Sequence, residues 1–125
     1  MYCVIDFTGN WYTAQKMCSS ISAHLPVADT AEAFKRIGDV TGRSNDIWLD
    51  GTDEHHPNQW KWQSTGLDFR FQHWAIGEPN DGTEHCLEVV ARTEWHWNDG
   101  HCEQTGRVNK LVCERYELTA HNVIG

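Results

Sequence analysis

The sequence Trp-Ala-Ile-Gly-Glu-Pro-Asn at residues 74–80, followed by Trp-Asn-Asp at residues 97–99, decides how the fold of this chain is interpreted. Glu84 lies between the two segments, and Glu84 and Asp99 each lie within three residues of a cysteine. Carboxylate and amide oxygens are the ligands that a hard cation such as Ca²⁺ prefers. A disulfide holds two distant stretches of chain together. The combination predicts a cation site on a cross-linked loop.

Length and charge limit the classes of protein to which the chain can belong. Its 125 residues suffice for one domain with a hydrophobic core. The net charge is −8 and no basic run is present, which argues against a nucleic-acid partner. No stretch reaches the apolar length of a membrane span. Met1 leads directly into the strand-like segment 2–7, so we expect no signal peptide, and either a mature, excised form or a cytosolic protein.

The cysteines favour the first of these alternatives. Five are present, at positions 3, 18, 86, 102 and 113, and no Cys-x-x-Cys pair occurs among them. Zinc-ribbon and thioredoxin-like proteins are therefore disfavoured. A disulfide framework formed in an oxidising compartment is the favoured interpretation for four of the cysteines, and it predicts a secreted, extracellular protein. One cysteine remains over, and spacing alone leaves the connectivity open.

Two helices are predicted early in the chain. The first follows Asn10, ends before Pro26, and turns inward a stripe made of Trp11, Ala14, Cys18 and Ile21. The second begins near Asp29 or Thr30, ends near Gly42, and has an inward stripe made of Ala33, Phe34, Ile37 and Val40.

Short strands are predicted after the helices, at residues 47–49, 60–62, 86–90, 95–97 and 111–113. Between residues 64 and 84 the periodicity fades and Gly, Asp, Asn and Pro accumulate, which favours a functional loop. The predicted class is α+β, with two helices flanking antiparallel sheets and a long loop that carries the site. We expect a single domain over residues 2–115 and a C-terminal tail over residues 116–125.

Across residues 2–115 the chain resembles a C-type lectin-like domain. The motifs that carry the resemblance are, in chain order, Trp11-x-x-Ala14-x-x-x-Cys18, Ile47-Trp48-Leu49-Asp50-Gly51, Trp74-x-x-Gly77-Glu78-Pro79-Asn80, Trp97-Asn98-Asp99, Cys102 and Cys113. The resemblance implies the disulfides Cys18–Cys113 and Cys86–Cys102. In longer family members Cys3 pairs with a cysteine further upstream, so here it is either free or bridges two chains in a homodimer.

The resemblance also implies a Ca²⁺ cofactor and a carbohydrate partner. It assigns both the metal and the sugar to the same five residues, Glu78, Asn80, Glu84, Asn98 and Asp99. Three carboxylates and two amides supply hard oxygens, and two adjacent sugar hydroxyls can complete the coordination shell. In the family the Glu-Pro-Asn sequence accompanies vicinal equatorial hydroxyls, as in mannose, N-acetylglucosamine, glucose or fucose, whereas Gln-Pro-Asp accompanies galactose. We expect a mannose-type lectin, and a cis bond before Pro79.

A second calcium, common in the family, is expected to be absent or weakly bound. Asp53, Asp81 and Glu84 match that second site, but His85 and Pro57 stand where acidic ligands are usual, and imidazole is a poor calcium ligand. Asp53-Glu54 is otherwise expected to be a solvated turn.

Two further groups of residues have competing interpretations. The histidines at positions 55, 56, 73, 85, 96 and 101 suggest a zinc hydrolase, but no His-Glu-x-x-His motif is present, so surface histidines are preferred. The core is the preferred place for the tryptophans at positions 11, 48, 60, 62, 74 and 97, with Trp95 less certain.

The sequence therefore predicts a secreted, non-enzymatic, calcium-dependent lectin for microbial or cell-surface glycans, with a role in innate immunity. Several copies would be needed for useful affinity. The alternative is a lectin-like module that binds protein, mineral or ice without recognising sugar.

Overall fold

The computed structural model describes residues 1–80, 82–105 and 107–115. Two α-helices precede most of the strands, as predicted. The elements in chain order are β1 (Tyr2–Asp6), α1 (Trp11–Ser20), α2 (Ala31–Thr41), β2 (Ile47–Thr52), β3 (Lys61–Trp62), β4 (Cys86–Val90), a short 3₁₀ turn (Ala91–Thr93), β5 (His96–Gly100) and β6 (Lys110–Glu114). The α+β class is confirmed.

Both helices begin at the polar residues that the sequence indicated. Asn10 Oδ1 accepts a hydrogen bond from the backbone N–H of Thr13 at 2.8 Å, and Thr30 Oγ1 accepts one from Ala33 at 3.0 Å. These caps satisfy N–H groups that have no partner within the helix. The predicted inward stripes are buried except at Ala33, which is partly buried, and at their last residues. Ile21 lies beyond the end of α1 and is 43% exposed, and Val40 is 48% exposed.

The strands form two antiparallel sheets. A four-stranded sheet has the order β3-β2-β4-β5, and a two-stranded sheet pairs β1 with β6 and so joins the two ends of the domain. Between β4 and β5 the register places Cys86 opposite Gly100 and Leu87 opposite Asp99. Asp99, the carboxylate of the Trp-Asn-Asp motif, therefore lies on β5, an edge strand of the larger sheet.

Tryptophans form much of the hydrophobic core. Trp11, Trp48, Trp62 and Trp97 are at most 2% exposed, and the indole N–H of Trp11 donates to the Leu49 carbonyl at 2.8 Å. Trp95, whose position the sequence left uncertain, is also buried and stacks on Phe34 at 4.9 Å between ring centroids. The core prediction is wrong for Trp60 and Trp74, which pack against the core but remain partly exposed.

Two disulfides close the fold, and both match the predicted pairing. Cys18–Cys113 spans 95 residues and ties α1 to β6. Cys86–Cys102 spans 16 residues and joins the start of β4 to the chain just after β5. Cys3 takes part in neither disulfide, and it is exposed on β1. In the chain-entropy model a cross-link over about 100 residues stabilises a fold by about 4 to 5 kcal/mol.

Neither helix within the described residues has the length and apolar character needed to cross a bilayer. The predicted tail, residues 116–125, lies outside the described residues, so it remains a prediction.

Candidate metal centre

The Glu78-Pro79-Asn80 segment is positioned by backbone hydrogen bonds to β5. The Trp97 N–H donates to the His73 carbonyl at 2.8 Å, and the Ala75 N–H donates to the Trp97 carbonyl at 2.9 Å. The Glu78 N–H then donates to the Ala75 carbonyl at 3.0 Å, closing a turn. The loop thus runs beside β5 before it reaches Glu78, which brings Glu78 to Asp99. The peptide bond between Glu78 and Pro79 is cis, as predicted.

The Glu78 carboxyl is influenced by two other carboxylates, Asp99 and Glu84. Burial, contact with the Asp99 carboxyl and the charge of Glu84 together raise the pKa of Glu78 above its ordinary value. Asp99 is only 1% exposed. Glu78 Oε1 is buried and has no hydrogen-bond partner among the described residues. Like charges held together in a partly buried place disfavour ionisation unless a cation neutralises them.

A cavity of about 180 Å³, here called the acidic cavity, lies at the centre of this group. Three of the five predicted ligands, Asn80, Glu84 and Asp99, line it. Its remaining lining residues are Asp53, Asn58, Trp60, Pro79 and Gly82. Glu78 reaches the site through its contact with Asp99 but lines the neighbouring cleft rather than the acidic cavity itself.

Asn98, the fifth predicted ligand, lines neither of these two cavities. It lies opposite Glu88 in the β4–β5 register, and its Nδ2 donates to Glu88 Oε1 at 3.3 Å. An amide binds a cation through its oxygen, so Oδ1 is the atom that Asn98 would offer while Nδ2 donates to Glu88. The structure therefore supports Asn98 less directly than the other four residues.

Asp53, one of the residues matched to a second calcium, is buried and hydrogen-bonded. Asp53 is 6% exposed rather than part of a solvated turn, so that expectation is wrong. Its Oδ1 lies 2.8 Å from His85 Nδ1, and its Oδ2 accepts from the Asn58 N–H at 2.9 Å. Both carboxylate oxygens of Asp53 are thus engaged by donors, which lowers their availability to a metal ion. Asp81 lies outside the described residues.

The donor types suit a calcium ion, although the described side chains do not form a complete coordination shell. Over residues 1–80, 82–105 and 107–115, no three His, Cys, Asp or Glu side chains are grouped as a metal centre requires. The donors gathered here are carboxylate and amide oxygens, which Ca²⁺ binds with flexible geometry. The buried Oε1 of Glu78 has no hydrogen-bond partner in the described part of the chain, and a bound cation would satisfy it. Glu78, Asn80, Glu84 and Asp99, with Asn98 beside them, are the residues that would hold the ion.

The disulfide Cys86–Cys102 stabilises the strands next to this site. It links the residue that begins β4 to a residue that follows β5, so β4, which Glu84 precedes by two residues, and β5, which carries Asp99, cannot separate. The His101 Nε2 atom lies 3.7 Å from Glu84 Oε2, and its Nδ1 lies 3.9 Å from Glu103 Oε1. His101 therefore lies between Glu84, in the loop before β4, and Glu103, which follows Cys102.

The sequence missed Asn58 and Trp60 as residues of the site, and it matched Asp53 only to a second calcium. All three line the acidic cavity and come from the segment before β3. The stretch from Asp53 to Asn58 is typical of a turn, and a turn alone does not indicate burial. The histidines are also less exposed than predicted. His55 and His56 are exposed, but His73, His85, His96 and His101 are partly buried.

The fold and the cavity define a ligand-binding module of the lectin-like class, in which a long loop carries the site beside an antiparallel sheet. A family model described as the lectin C-type domain matches residues 8–115. The chain belongs to the C-type lectin family. This family is one of binding domains, and no catalytic family is indicated.

Known proteins resemble the chain in sequence and in structure. It is 28% identical to salivary C-type lectin 1 of Aedes albopictus over an alignment of 127 residues. The alignment covers 91% of this chain and 81% of that protein. The cow carbohydrate-recognition domain of CD23, solved in the presence of a GlcNAc2Man3 oligosaccharide, superposes with a TM-score of 0.81 at 19% identity and covers 94% and 88% of the two chains. A calcium-independent type II antifreeze protein superposes at 0.77 and 19% identity, covering 94% and 88%.

Proposed function

We propose that this protein is a secreted, calcium-dependent lectin that binds mannose-type sugars through Glu78, Asn80, Glu84, Asn98 and Asp99. The observation that carries the proposal is that Asn80, Glu84 and Asp99 line one cavity while Glu78 contacts Asp99 beside it. A divalent cation would account for this arrangement, because it neutralises the carboxylates whose presence helps to raise the pKa of Glu78.

The sugar would bind through the same groups that hold the ion. Bound Ca²⁺ supplies coordination positions for two adjacent hydroxyl oxygens of a sugar. The hydroxyl protons are then donated to carboxylates such as Glu78 and Glu84, and an asparagine amide such as Asn80 donates to the hydroxyl oxygens. The order acid-then-amide in Glu78-Pro79-Asn80 favours vicinal equatorial hydroxyls, as in mannose, N-acetylglucosamine and fucose.

The shallow cavity also explains why several copies would be needed. A single monosaccharide site is expected to have a dissociation constant near 1 mM, or about −4 kcal/mol. Two or more linked sites raise the effective affinity without new contacts. Cys3 is exposed and outside both disulfides, so it can join two copies into a homodimer. The targets would be microbial or cell-surface glycans, which places the protein in innate immunity.

A glycan array with and without a calcium chelator tests this function. Wild-type protein is expected to bind mannose-terminated and fucose-terminated glycans, and to lose all binding when the ion is removed. The double variant Glu78→Gln with Asn80→Asp exchanges acid and amide across the cis peptide. It keeps the size of both side chains and is expected to shift the preference toward galactose-terminated glycans. Binding that survives chelation would contradict the proposal.

A second candidate function is a lectin-like module that does not recognise sugar. This fold also occurs in a calcium-independent type II antifreeze protein. The same array distinguishes the two. A calcium-dependent rise in thermal stability with no glycan bound by the wild-type protein would favour the second candidate.

A further inference from the structure

A larger cleft opens next to the acidic cavity. Its volume is about 550 Å³, and Trp60, Phe69 and Trp74 form its apolar wall. Asn58, Trp60 and Pro79 line both spaces, so the two are adjacent. The volume lies in the range of ligand sites, about 300 to 1,000 Å³. We call this space the aromatic cleft.

The rings that line the aromatic cleft are fixed by contacts with buried rings of the core. Phe69 and Trp74 each meet the buried Trp97 edge to face, with centroids 5.5 and 5.7 Å apart. Phe69 also packs on buried Trp62 at 4.2 Å, and Trp60 meets Trp74 at 5.0 Å. Because these rings are only partly buried, they present apolar area to the cleft while their other edges are fixed by the core. A preformed surface of this kind binds without a large ordering cost.

The rim of the aromatic cleft is polar and faces the same space. Gln72 Oε1 accepts a hydrogen bond from the indole N–H of Trp74 at 2.9 Å, which leaves the Gln72 amide N–H₂ as a donor at the rim. Asp68 Oδ1 accepts from Lys61 Nζ at 2.7 Å, and a carboxylate oxygen retains capacity for further donors. The cleft therefore combines an apolar floor with hydrogen-bond donors and acceptors.

We propose that the aromatic cleft is a second saccharide subsite, which takes the sugar residue next to the one held at the acidic cavity. The inference rests on the proposed function. A pyranose ring has an apolar face of C–H groups and an edge of hydroxyls. The face matches the rings of Trp60, Phe69 and Trp74, and the edge matches Asp68 and Gln72. Because the two spaces lie side by side at Trp60 and Pro79, two linked sugar residues could occupy one space each.

The proposal predicts that a disaccharide gains affinity over a monosaccharide. The assay is calorimetric or NMR titration at saturating Ca²⁺, with methyl α-mannoside compared with differently linked mannobioses. The best mannobiose is expected to bind wild-type protein about tenfold more tightly, which corresponds to about 1.4 kcal/mol. The quantity compared between variants is this ratio of dissociation constants, measured on each folded variant.

Two variants and one control remove different parts of the aromatic cleft. Trp74→Leu removes the flat ring and is expected to lower the ratio to about twofold. The double variant Asp68→Ala with Gln72→Ala changes only exposed rim residues, and it is expected to lower the ratio to about threefold. Leu67→Ala alters an exposed side chain on the same loop that does not line the aromatic cleft, so the tenfold ratio is expected to persist.

The outcomes separate this inference from the function on which it rests. If wild-type protein fails to bind methyl α-mannoside in a calcium-dependent way, the proposed function itself is wrong. If methyl α-mannoside binds but no mannobiose binds more tightly, or both cleft variants keep the wild-type ratio, only the subsite is wrong. A gain for octyl mannoside without a gain for any mannobiose would assign the cleft to an alkyl chain and would also overturn the saccharide subsite.

Discussion

The buried carboxyl of Asp50 provides a prediction whose magnitude follows from the structure. Asp50 lies on β2 and is 1% exposed. Its Oδ2 accepts hydrogen bonds from the backbone N–H and the hydroxyl of Ser64, both at 2.7 Å. Burial raises the pKa of Asp50 to about 6, although the Ser64 hydrogen bonds and nearby His24 act in the opposite direction. The ionised form is therefore the costly one in the folded protein.

The sign of the effect on stability follows from this shift. The folded-state pKa of Asp50 lies above its ordinary value of 3.8, so the folded protein holds the proton more tightly than the unfolded chain. The corresponding stability is complete below pH 3.8 and is lost as the pH rises through about 6. A shift of about two pKa units, at 1.36 kcal/mol each, amounts to about 3 kcal/mol of unfolding free energy.

The substitution Asp50→Asn removes this titration while keeping a similar shape and an oxygen that can accept from Ser64. Urea unfolding, followed by tryptophan fluorescence with chelator present throughout, gives the unfolding free energy of both proteins from pH 4 to pH 7.5. Relative to the variant, wild-type protein is expected to lose about 2 kcal/mol across this range, because at pH 4 part of the full difference is already lost.

An exposed carboxylate serves as the matched control for Asp50. Asp39 on α2 has a pKa lowered by hydrogen bonds from Lys35 and Arg43, so its titration acts in the other direction. Asp39→Asn is therefore expected to show no relative gain in stability as the pH rises. Equal stability differences between wild type and Asp50→Asn at pH 4 and at pH 7.5 would refute the reasoning about burial.

Three further predictions concern the candidate metal centre. Calcium at 100 times its dissociation constant is expected to stabilise wild-type protein by about 2.7 kcal/mol, and Glu78→Gln to remove most of this gain, as chemical unfolding with and without Ca²⁺ would show; an unchanged gain would exclude Glu78 as a ligand. The double variant Cys86→Ser with Cys102→Ser, which opens a cross-link over 16 residues, is expected to lose about 3 kcal/mol and to bind calcium more weakly, measured by unfolding and calorimetry. Sugar and calcium are expected to be released together in mild acid, because Glu78, whose pKa is raised, and its neighbours Glu84 and Asp99 must be ionised to bind the ion; constant sugar binding from pH 7 to pH 4 would contradict this.

The sequence predicted those parts of the fold that local rules determine. The N-cap at Thr30 and the glycine at position 42 mark α2 correctly, and β4 has the predicted bounds Cys86–Val90. Helical spacing identifies an inward stripe, but it does not say where the helix leaves the core. Val40 continues the spacing of α2 yet lies near its end, where the core no longer covers it. The disulfide pairing came from the family resemblance, since five cysteines leave the pairing open.

Residues whose environment depends on distant chain were predicted poorly. Asp53 sits in a polar stretch that reads as a solvated turn, but His85, 32 positions later, supplies the hydrogen bond that accompanies its burial. Trp60 and Trp74 share the aromatic character of the core residues. Their partial exposure follows from the loop that folds over β5 and leaves a cleft between them and Pro79. A single sequence contains no local pattern for either arrangement.

The position of Glu78 is determined by the backbone rather than by its carboxylate. The hydrogen bonds between Trp97 and His73, and between Trp97 and Ala75, attach the loop to β5 whatever the charge at residue 78. The sheet therefore holds Glu78 against Asp99 at an electrostatic cost. Glu78→Gln should then relieve repulsion when calcium is chelated and remove a ligand when calcium is present. The variant is accordingly expected to be at least as stable as wild type in chelator and less stable in excess calcium. A lower stability in both conditions would mean that Glu78 supports the loop in another way.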